Sequence, residues 1–247
     1  MTDFEQQVTE IEVHGFTIVP DVIDIQQVNQ MRQVLIDSNC KRGELTYNRG
    51  VALKLPNLVT LDPVFFTCID HPRILPLMEH FLEQSLILAS LVARIVRPGD
   101  PIQGLHSDIP AKMLNRDSPV MMNGAWMLDD FCPENGGTRF VPGSHLNRYA
   151  DPPEGFDPQH LVQPRGSAGS VIVFNGQLWH GGGGNNSNKS RHAIFSTYRK
   201  DWLVFQWDPH DDFPVEWLDR LNQRQRELLR MTRGVGAPHA SEEHLLR

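Results

Sequence analysis

Cysteine is scarce in this sequence of 247 residues, which contains only Cys40, Cys68 and Cys132. The three are scattered, odd in number and form no C-x-x-C pair, so they predict neither a disulfide framework nor a cysteine metal site. Such sparse cysteine is typical of a protein in a reducing compartment. We therefore expect a cytoplasmic protein.

Long hydrophobic runs and dense basic runs are also missing. No apolar stretch approaches the roughly 18 residues that span a bilayer, and the polar, acidic N-terminus is unlike a signal peptide. The formal net charge is -7, which argues against a nucleic-acid surface. Hydrophobic residues make up 40% and charged residues 21% of the chain, as in a globular protein. We expect neither a membrane nor a nucleic acid as partner.

Helices are predicted mainly at the two ends of the chain. Residues 2–14 are predicted to be helical with Thr2 or Asp3 as cap, and Asp24 precedes an amphipathic repeat that continues to Cys40. Further predicted elements are a brief strand at 15–20, a mixed, loop-like stretch at 41–60, a helix opened by Pro72, a long apolar strand at 85–97, and a helix from Pro214 to 233 with Gly234 as C-cap.

Short strands alternate with glycine- and proline-rich turns in the middle of the chain, which is typical of a sandwich or jelly roll. These strands are predicted at 102–108, 119–130, 138–142, 170–174 and 191–199, with a long polar loop at 145–165. We find no internal repeat and no break in composition. The prediction is one domain over 1–247, mainly β with flanking α-helices: a helical part at about 1–84, a β core at about 85–205 and a helix at about 214–233.

A metal site is predicted from three side chains. On a strand, His106 and Asp108 would point to the same face and offer an imidazole and a carboxylate to one cation. His180, at the end of a second apolar strand, is the best candidate for a third ligand. Two histidines and one carboxylate form the facial triad of non-haem Fe(II) oxygenases. Each residue alone also has an ordinary interpretation, namely a surface histidine, a turn-capping aspartate and a histidine packed on Trp179.

Arg191 adds an independent element, because it follows His180 by eleven residues and starts another strand. A planar guanidinium binds a carboxylate with two hydrogen bonds, so Arg191 could hold the far end of a dicarboxylate beside the metal. A surface arginine before a strand is the alternative. His192 would point to the opposite face of this strand. His145 in a Pro-Gly-Ser-His turn is interpreted as structural.

Residues 15–200 resemble the phytanoyl-CoA dioxygenase family of Fe(II)- and 2-oxoglutarate-dependent oxygenases. The matching pieces agree in order and spacing; they are Gly15–Pro20, His106–Asp108, Glu134–His145, Gly169–Phe174, Trp179–His180, Asn186 and Arg191. The resemblance implies a double-stranded β-helix (a jelly-roll, cupin-like core) with helices packed outside. It further implies that His106, Asp108 and His180 bind iron and that Arg191 holds the distal carboxylate of 2-oxoglutarate. It also points to Trp126, Lys54 and Thr138 as cosubstrate contacts.

A hydroxylase-type oxygenase is therefore expected, using Fe(II), 2-oxoglutarate and O2 and releasing succinate and CO2. Demethylation, desaturation and ring chemistry stay open as outcomes, whereas Asp108 disfavours halogenation, because related halogenases lack this carboxylate. We expect a small-molecule substrate, such as one of secondary metabolism, and a monomer or homodimer. The loops at 41–60, 109–120 and 145–165 are expected to line the entrance. Asn123 and Asn175 are possible polar contacts.

Two other classes of protein remain open at this point. One is a cupin-like enzyme that uses another divalent metal without 2-oxoglutarate. The other is a non-catalytic ligand-binding barrel whose metal site is vestigial, although such a barrel has no reason to retain the triad together with Arg191.

Overall fold

The computed structural model describes residues 1–42, 52–115, 117–210 and 212–232. The α-helices are α1 Asp3–His14, α2 Ile25–Arg42, α3 Thr67–Asp70, α4 Leu75–Leu82 and α5 Gln223–Leu228. The strands are β1 Phe16–Val19, β2 Leu53–Leu55, β3 Leu86–Val96, β4 Met121–Met127, β5 Thr138–Phe140, β6 Val171–Asn175, β7 His180–Gly182 and β8 Arg191–Lys200. Short 3₁₀ helices occupy Leu58–Thr60, Pro63–Phe66, Ala111–Met113, Ser144–Leu146 and Val215–Arg220.

Two antiparallel sheets face each other. The larger has the strand order β1-β6-β4-β8-β3-β2, and the smaller pairs β5 with β7. Apolar side chains fill the space between them: the ring of Phe140 on β5 lies 5.4 Å from that of Phe174 on β6 and 4.7 Å from that of Phe16 on β1, centroid to centroid. The Phe174 ring also lies 4.9 Å from the His180 ring, so this apolar layer borders the predicted site.

The helices cover the outer face of the larger sheet. Val28 and Met31 of α2 and Leu77 of α4 are fully buried in one cluster with Trp126 and Tyr198 of the sheet. The central strands are thus buried on both faces, which explains the nearly continuous apolar sequence of β3. None of the described helices is long and apolar enough to cross a membrane.

The first two helices begin where their caps predict. The Thr2 hydroxyl accepts a hydrogen bond from the Glu5 amide at 3.2 Å, and the Glu5 carboxylate accepts one from the Thr2 amide at 2.8 Å. The Asp24 carboxylate accepts a hydrogen bond from the Gln27 amide at 2.8 Å before α2. Local capping chemistry therefore sets both helix starts.

The predicted strand at 102–108 is wrong, because this segment forms only an isolated bridge between His106 and His180. The Gln103 amide donates to the Gly182 carbonyl at 3.0 Å, and the His106 amide donates to the His180 carbonyl at 2.9 Å. Between these two hydrogen bonds the 103–106 segment advances three residues, whereas β7 advances two. The segment therefore contains one extra residue relative to β7, as in a β-bulge. His180 does not end the preceding strand either; a turn follows β6, and His180 begins the separate strand β7.

The C-terminal helix is shorter and broken. Residues 214–233 are not one helix but the 3₁₀ helix at Val215–Arg220 followed by α5. The break occurs because Leu221 is extended and the Asn222 side chain accepts a hydrogen bond from the Gln225 amide at 2.8 Å, which starts a new helix. The proposed end at 233 and its cap Gly234 lie outside the described residues, as does most of the predicted loop at 41–60.

Candidate metal and cosubstrate site

The three predicted metal ligands converge at the polar end of the sandwich. One ligand atom from each of His106, Asp108 and His180 lies within 4.8 Å of the other two. The Nε2 atom of His106 is 3.8 Å from one carboxylate oxygen of Asp108, and Nε2 of His180 is 3.6 Å from the other. These separations suit three ligands on one face of a single cation.

Both imidazoles are held in the tautomer that a metal needs. Nδ1 of His106 lies 3.0 Å from the Gly104 carbonyl, and Nδ1 of His180 lies 2.8 Å from the Leu178 carbonyl. A carbonyl only accepts hydrogen bonds, so each Nδ1 must carry the proton and each Nε2 presents a lone pair to the site. Burial is the largest cause that lowers the pKa of His180, which favours the neutral ligand form.

The carboxylate of Asp108 has its own support. Nδ2 of Asn123 on β4 donates to Oδ2 of Asp108 at 2.9 Å, so Asn123 orients one of the three predicted metal ligands. Asn175 is different: it does not line the cavity, and its side-chain oxygen accepts from the Gln177 amide at 2.9 Å in the turn before β7. The prediction of a polar cavity contact therefore fails for Asn175 within the described structure.

Arg191 lies buried at the start of β8 and lines the cavity that contains the triad. Its Nη2 donates to the Gly136 carbonyl at 2.9 Å, and its guanidinium carbon lies 4.3 Å from the centroid of the Phe131 ring. Nε and Nη1 are buried without a hydrogen-bond partner. Burial lowers the pKa of Arg191 to about 10, so a carboxylate partner would compensate a desolvated cation.

The turn that holds Arg191 depends on a glycine. Gly136 has a φ of 80°, and a Cβ there would lie 2.7 Å from the Gly183 carbonyl oxygen. A side chain is thus excluded twice, by backbone conformation and by space. The Gly136 carbonyl can therefore reach the guanidinium.

Lys54 and Thr138 line the same cavity, whereas Trp126 does not. Trp126 is fully buried in the helix-facing cluster, where its indole N–H donates to the Ser196 hydroxyl at 3.0 Å and its ring packs edge-on against His71. The prediction that Trp126 lines the cosubstrate pocket is therefore wrong. Side chains on a strand alternate between its two faces. On β4, Asn123 lies on the face that lines the cavity and Trp126 lies on the opposite face.

Sequence reasoning missed several residues that line the cavity: Ser90, Arg94, Gln103, Thr197, Arg199 and Gln206. A signal existed for Arg94, which is a cation inside the otherwise apolar strand β3. Of the three predicted entrance loops, the described part of 41–60 contributes Ala52 and Lys54. The described residues of 109–120 and 145–165 contribute none, although the Asp151 carboxylate accepts from the Ser107 amide at 3.1 Å.

The remaining predicted structural histidines behave as expected. Nε2 of His145 lies 3.1 Å from the Glu12 carbonyl, away from the triad. His192 points away from the cavity, and its Nδ1 lies 2.7 Å from the Asp129 carboxylate. Neither belongs to the metal cluster, which within the described residues consists of His106, Asp108 and His180 alone.

Comparison with known families gives one clear match. The family described as phytanoyl-CoA dioxygenase matches residues 11–193. A protein named dioxygenase af480, from Aspergillus fumigatus, is 26% identical over 246 residues, covering 93% of this chain and 78% of the relative. Dioxygenase olcK from Penicillium canescens is 38% identical over 156 residues, covering 61% of this chain and 49% of the relative.

Two solved structures share the fold. HygX from Streptomyces hygroscopicus, solved with nickel and 2-oxoglutarate bound, gives a TM-score of 0.70 at 17% identity and covers 87% of this chain and 95% of its own. The epimerase SnoN, solved with Fe3+, alpha ketoglutarate and nogalamycin RO, gives a TM-score of 0.65 at 21% identity. The match covers 80% of this chain and 83% of the SnoN chain. The predicted jelly roll with flanking helices is confirmed.

Proposed function

The chain belongs to the phytanoyl-CoA dioxygenase family, and from this membership we propose that it oxidises a small-molecule metabolite, by hydroxylation, with release of succinate and CO2. Membership makes it a 2-oxoglutarate-dependent non-haem iron dioxygenase that uses Fe(II), 2-oxoglutarate and O2. Family membership excludes the two alternatives left open by the sequence, which were a cupin-like enzyme that works without 2-oxoglutarate and a non-catalytic ligand-binding barrel. Demethylation and desaturation are the alternatives to hydroxylation.

The assignment of roles rests on one observation above all. Three ligand atoms lie within 4.8 Å of one another, and two of them belong to imidazoles whose other nitrogen is tied to a carbonyl. We assign His106, Asp108 and His180 to the iron. Three protein ligands on an octahedral metal leave three positions for cosubstrate and O2.

Arg191 is assigned to the distal carboxylate of 2-oxoglutarate. Its Nε and Nη1 have no hydrogen-bond partner, and Nη2 has a second hydrogen beyond the one it gives to the Gly136 carbonyl, so the guanidinium keeps donors for a carboxylate. Thr138 and Lys54 line the same cavity and are proposed as further cosubstrate contacts. When bound, the iron and 2-oxoglutarate supply the oxidising chemistry, while the rings of Phe140 and Phe174 pack beside the His180 imidazole and hold it in place.

An anaerobic titration of the protein with Fe(II) and 2-oxoglutarate tests the metal assignment. We expect the visible charge-transfer band of the chelate in the wild type and its loss in Asp108→Ala and His180→Ala, because two ligands cannot hold the metal in this geometry. His160→Ala, which changes an exposed histidine, should keep the band. A band of normal intensity in Asp108→Ala would remove that carboxylate from the iron.

The cosubstrate assignment is tested separately with Arg191→Gln. We expect the Kd for 2-oxoglutarate to rise roughly 100-fold, because a buried charge-assisted pair is lost, while Fe(II) affinity stays close to that of the wild type. Arg165→Gln, at an exposed position, is the matched control. An unchanged Kd for 2-oxoglutarate would contradict the assignment. Succinate release coupled to O2 uptake then tests the reaction class.

A further inference from the structure

The cavity beside the metal triad carries more positive charge than its cofactors need. It is lined by Lys54, Arg94, Arg191 and Arg199, and among the described residues Asp108 is the one carboxylate in its wall. The charges of Fe(II) and of the 2-oxoglutarate dianion cancel each other, so loading the site leaves the excess in place. This reasoning rests on the proposed function, and it concerns what else enters the cavity.

Arg94 stands in an unfavourable position for a cation. It faces the cavity from β3 and lies directly opposite Lys54 on β2, where like charges destabilise a strand pair. Arg94 lies over the Phe195 ring at 5.6 Å, and Lys54 over the Trp207 ring at 5.3 Å. Neither forms an ion pair with another part of the described chain. Burial lowers the pKa of both groups, so an anion placed between them would be strongly favoured.

Arg199 is the second cation without a full set of partners. Eight residues separate it from Arg191 along β8, which is roughly 26 Å at the rise of an extended strand. Its Nε is buried without a hydrogen-bond partner, and its Nη1 donates only a long bond of 3.4 Å to the Val204 carbonyl. Burial lowers the pKa of both Arg94 and Arg199, and the Asp108 carboxylate opposes this effect, so both guanidinium groups lie within electrostatic reach of Asp108.

The cosubstrate does not account for these two arginines. One carboxylate of 2-oxoglutarate is assigned to Arg191 and the other to the iron, so a five-carbon diacid has no charge left for Arg199 at the far end of the strand. Even with Lys54 assigned to the cosubstrate, Arg94 and Arg199 remain. Arg94 pairs with Ala193 on β8, six residues from Arg199, so the two arginines lie at opposite ends of the cavity wall formed by Phe195 and Thr197.

The rim next to these arginines is apolar. Gln206 lines the cavity and is hydrogen-bonded to Ser90, its neighbour Trp207 lies over Lys54, and the Val204 carbonyl contacts Arg199. Val204 is 75% and Trp207 39% exposed. Val204 and Trp207 do not line the cavity themselves, but each contacts a cation that does, so exposed apolar side chains lie beside Arg199 and Lys54.

We propose that the substrate is an acid, a small molecule whose carboxylate or phosphate group is attracted by the positive charges of Arg94 and Arg199 while its apolar body lies near Val204 and Trp207. Both charges favour a pose in which the acidic group lies inside the cavity that contains the triad. The position of oxidation on the substrate is then set by its distance from the acidic group.

The test uses the anaerobic holoenzyme loaded with Fe(II) and 2-oxoglutarate. Three apolar acids (decanoate, cinnamate and 1-naphthoate) are titrated against their primary amides, and 1-naphthyl phosphate against 1-naphthol, with calorimetry and the chelate band as readouts. We expect at least one acid to bind about tenfold more tightly than its neutral partner. The carboxylate and phosphate arms decide which acidic group is preferred.

The variants Arg94→Gln and Arg199→Gln should each reduce this preference about fivefold while the Kd for 2-oxoglutarate stays within about twofold of the wild type. Arg94→Lys keeps the charge and should keep most of the preference, and Arg220→Gln, at an exposed position outside the cavity lining, should keep all of it.

Equal binding of every acid and its neutral partner would overturn the proposal. So would a loss of 2-oxoglutarate affinity in Arg94→Gln as large as that in Arg191→Gln, because Arg94 would then belong to the cosubstrate. Absence of the chelate band from the wild type would instead overturn the proposed function.

Discussion

At the scale of single residues, the proposed metal ligands are oriented by neighbours outside the triad. Backbone carbonyls fix the two imidazoles, and the Asn123 amide fixes the Asp108 carboxylate. The side chain of Asp108 is 34% exposed, so without this hydrogen bond it could rotate toward solvent. Such outer contacts decide how much of a ligand's binding energy is realised.

Asn123→Ala tests this arrangement. We expect Fe(II) affinity to fall roughly 10–100-fold, the usual cost of losing an oriented outer contact, while the fold is retained. The measurement is an anaerobic Fe(II) titration at saturating 2-oxoglutarate. Asn188→Ala, at an exposed position, is the control. Wild-type affinity in Asn123→Ala would show that the iron alone orients the carboxylate.

At the scale of secondary structure, the site depends on a close approach of two backbones. A Cβ on Gly181 of β7 would lie 2.9 Å from the Gln103 carbonyl oxygen and 3.0 Å from that of Gly104. The segment before His106 can therefore pair with β7 only because residue 181 has no side chain. The bulged pairing places His106 and His180 directly across from each other.

Gly181→Ala should push the 103–106 segment away from β7. We expect a loss of about 1–3 kcal/mol in the free energy of unfolding, as for other overpacked sites, together with weaker Fe(II) binding because His106 moves. Urea unfolding and the Fe(II) titration measure the two effects. Gly104→Ala is the matched control, since a Cβ there would meet no atom within 4 Å. Equal effects of the two substitutions would contradict the steric explanation.

The same scale shows what the sequence could predict. Capping residues and apolar periodicity predicted α1, α2 and most strands, because those signals are local. The bulge at 103–106 was not predictable, since it is defined by pairing with β7 across the site. Trp126 was placed on the wrong face because a shift of one residue exchanges the two faces of a strand. Motif spacing predicts the triad and Arg191 as a set, and the structure brings these four side chains to one cavity. The contact of Asn123 with Asp108 and the inward position of Arg94 depend instead on the strand register.

At the scale of the whole molecule, the helical layer is tied to the sandwich by a partly buried polar network. The Arg32 guanidinium on α2 lies 2.7 Å from one Asp129 oxygen, and Nδ1 of His192 on β8 lies 2.7 Å from the other. The His192 amide also donates to Asp129 at 2.8 Å. Burial opposes ionisation of Asp129, but these hydrogen bonds outweigh it and hold the pKa of its carboxyl below the usual range.

Asp129→Asn tests whether this network stabilises the fold. A carboxyl whose folded pKa is depressed contributes stability above its unfolded pKa of about 4, and the contribution is lost as pH falls through the folded pKa. We expect the variant to lose about 1–3 kcal/mol at pH 7, because hydrogen bonds to a charged acceptor are lost, and the difference from the wild type to shrink below about pH 4.

Urea unfolding at a series of pH values measures this difference. Asp219→Asn, which removes a fully exposed partner of Arg226, should leave the free energy of unfolding unchanged at every pH. If Asp129→Asn has the same loss in the free energy of unfolding at every pH, the substitution acts by disturbing packing and not by removing a charge. The contact between α2 and the sandwich would then be stabilised by side-chain packing, and the charge of the Asp129 carboxylate would not contribute.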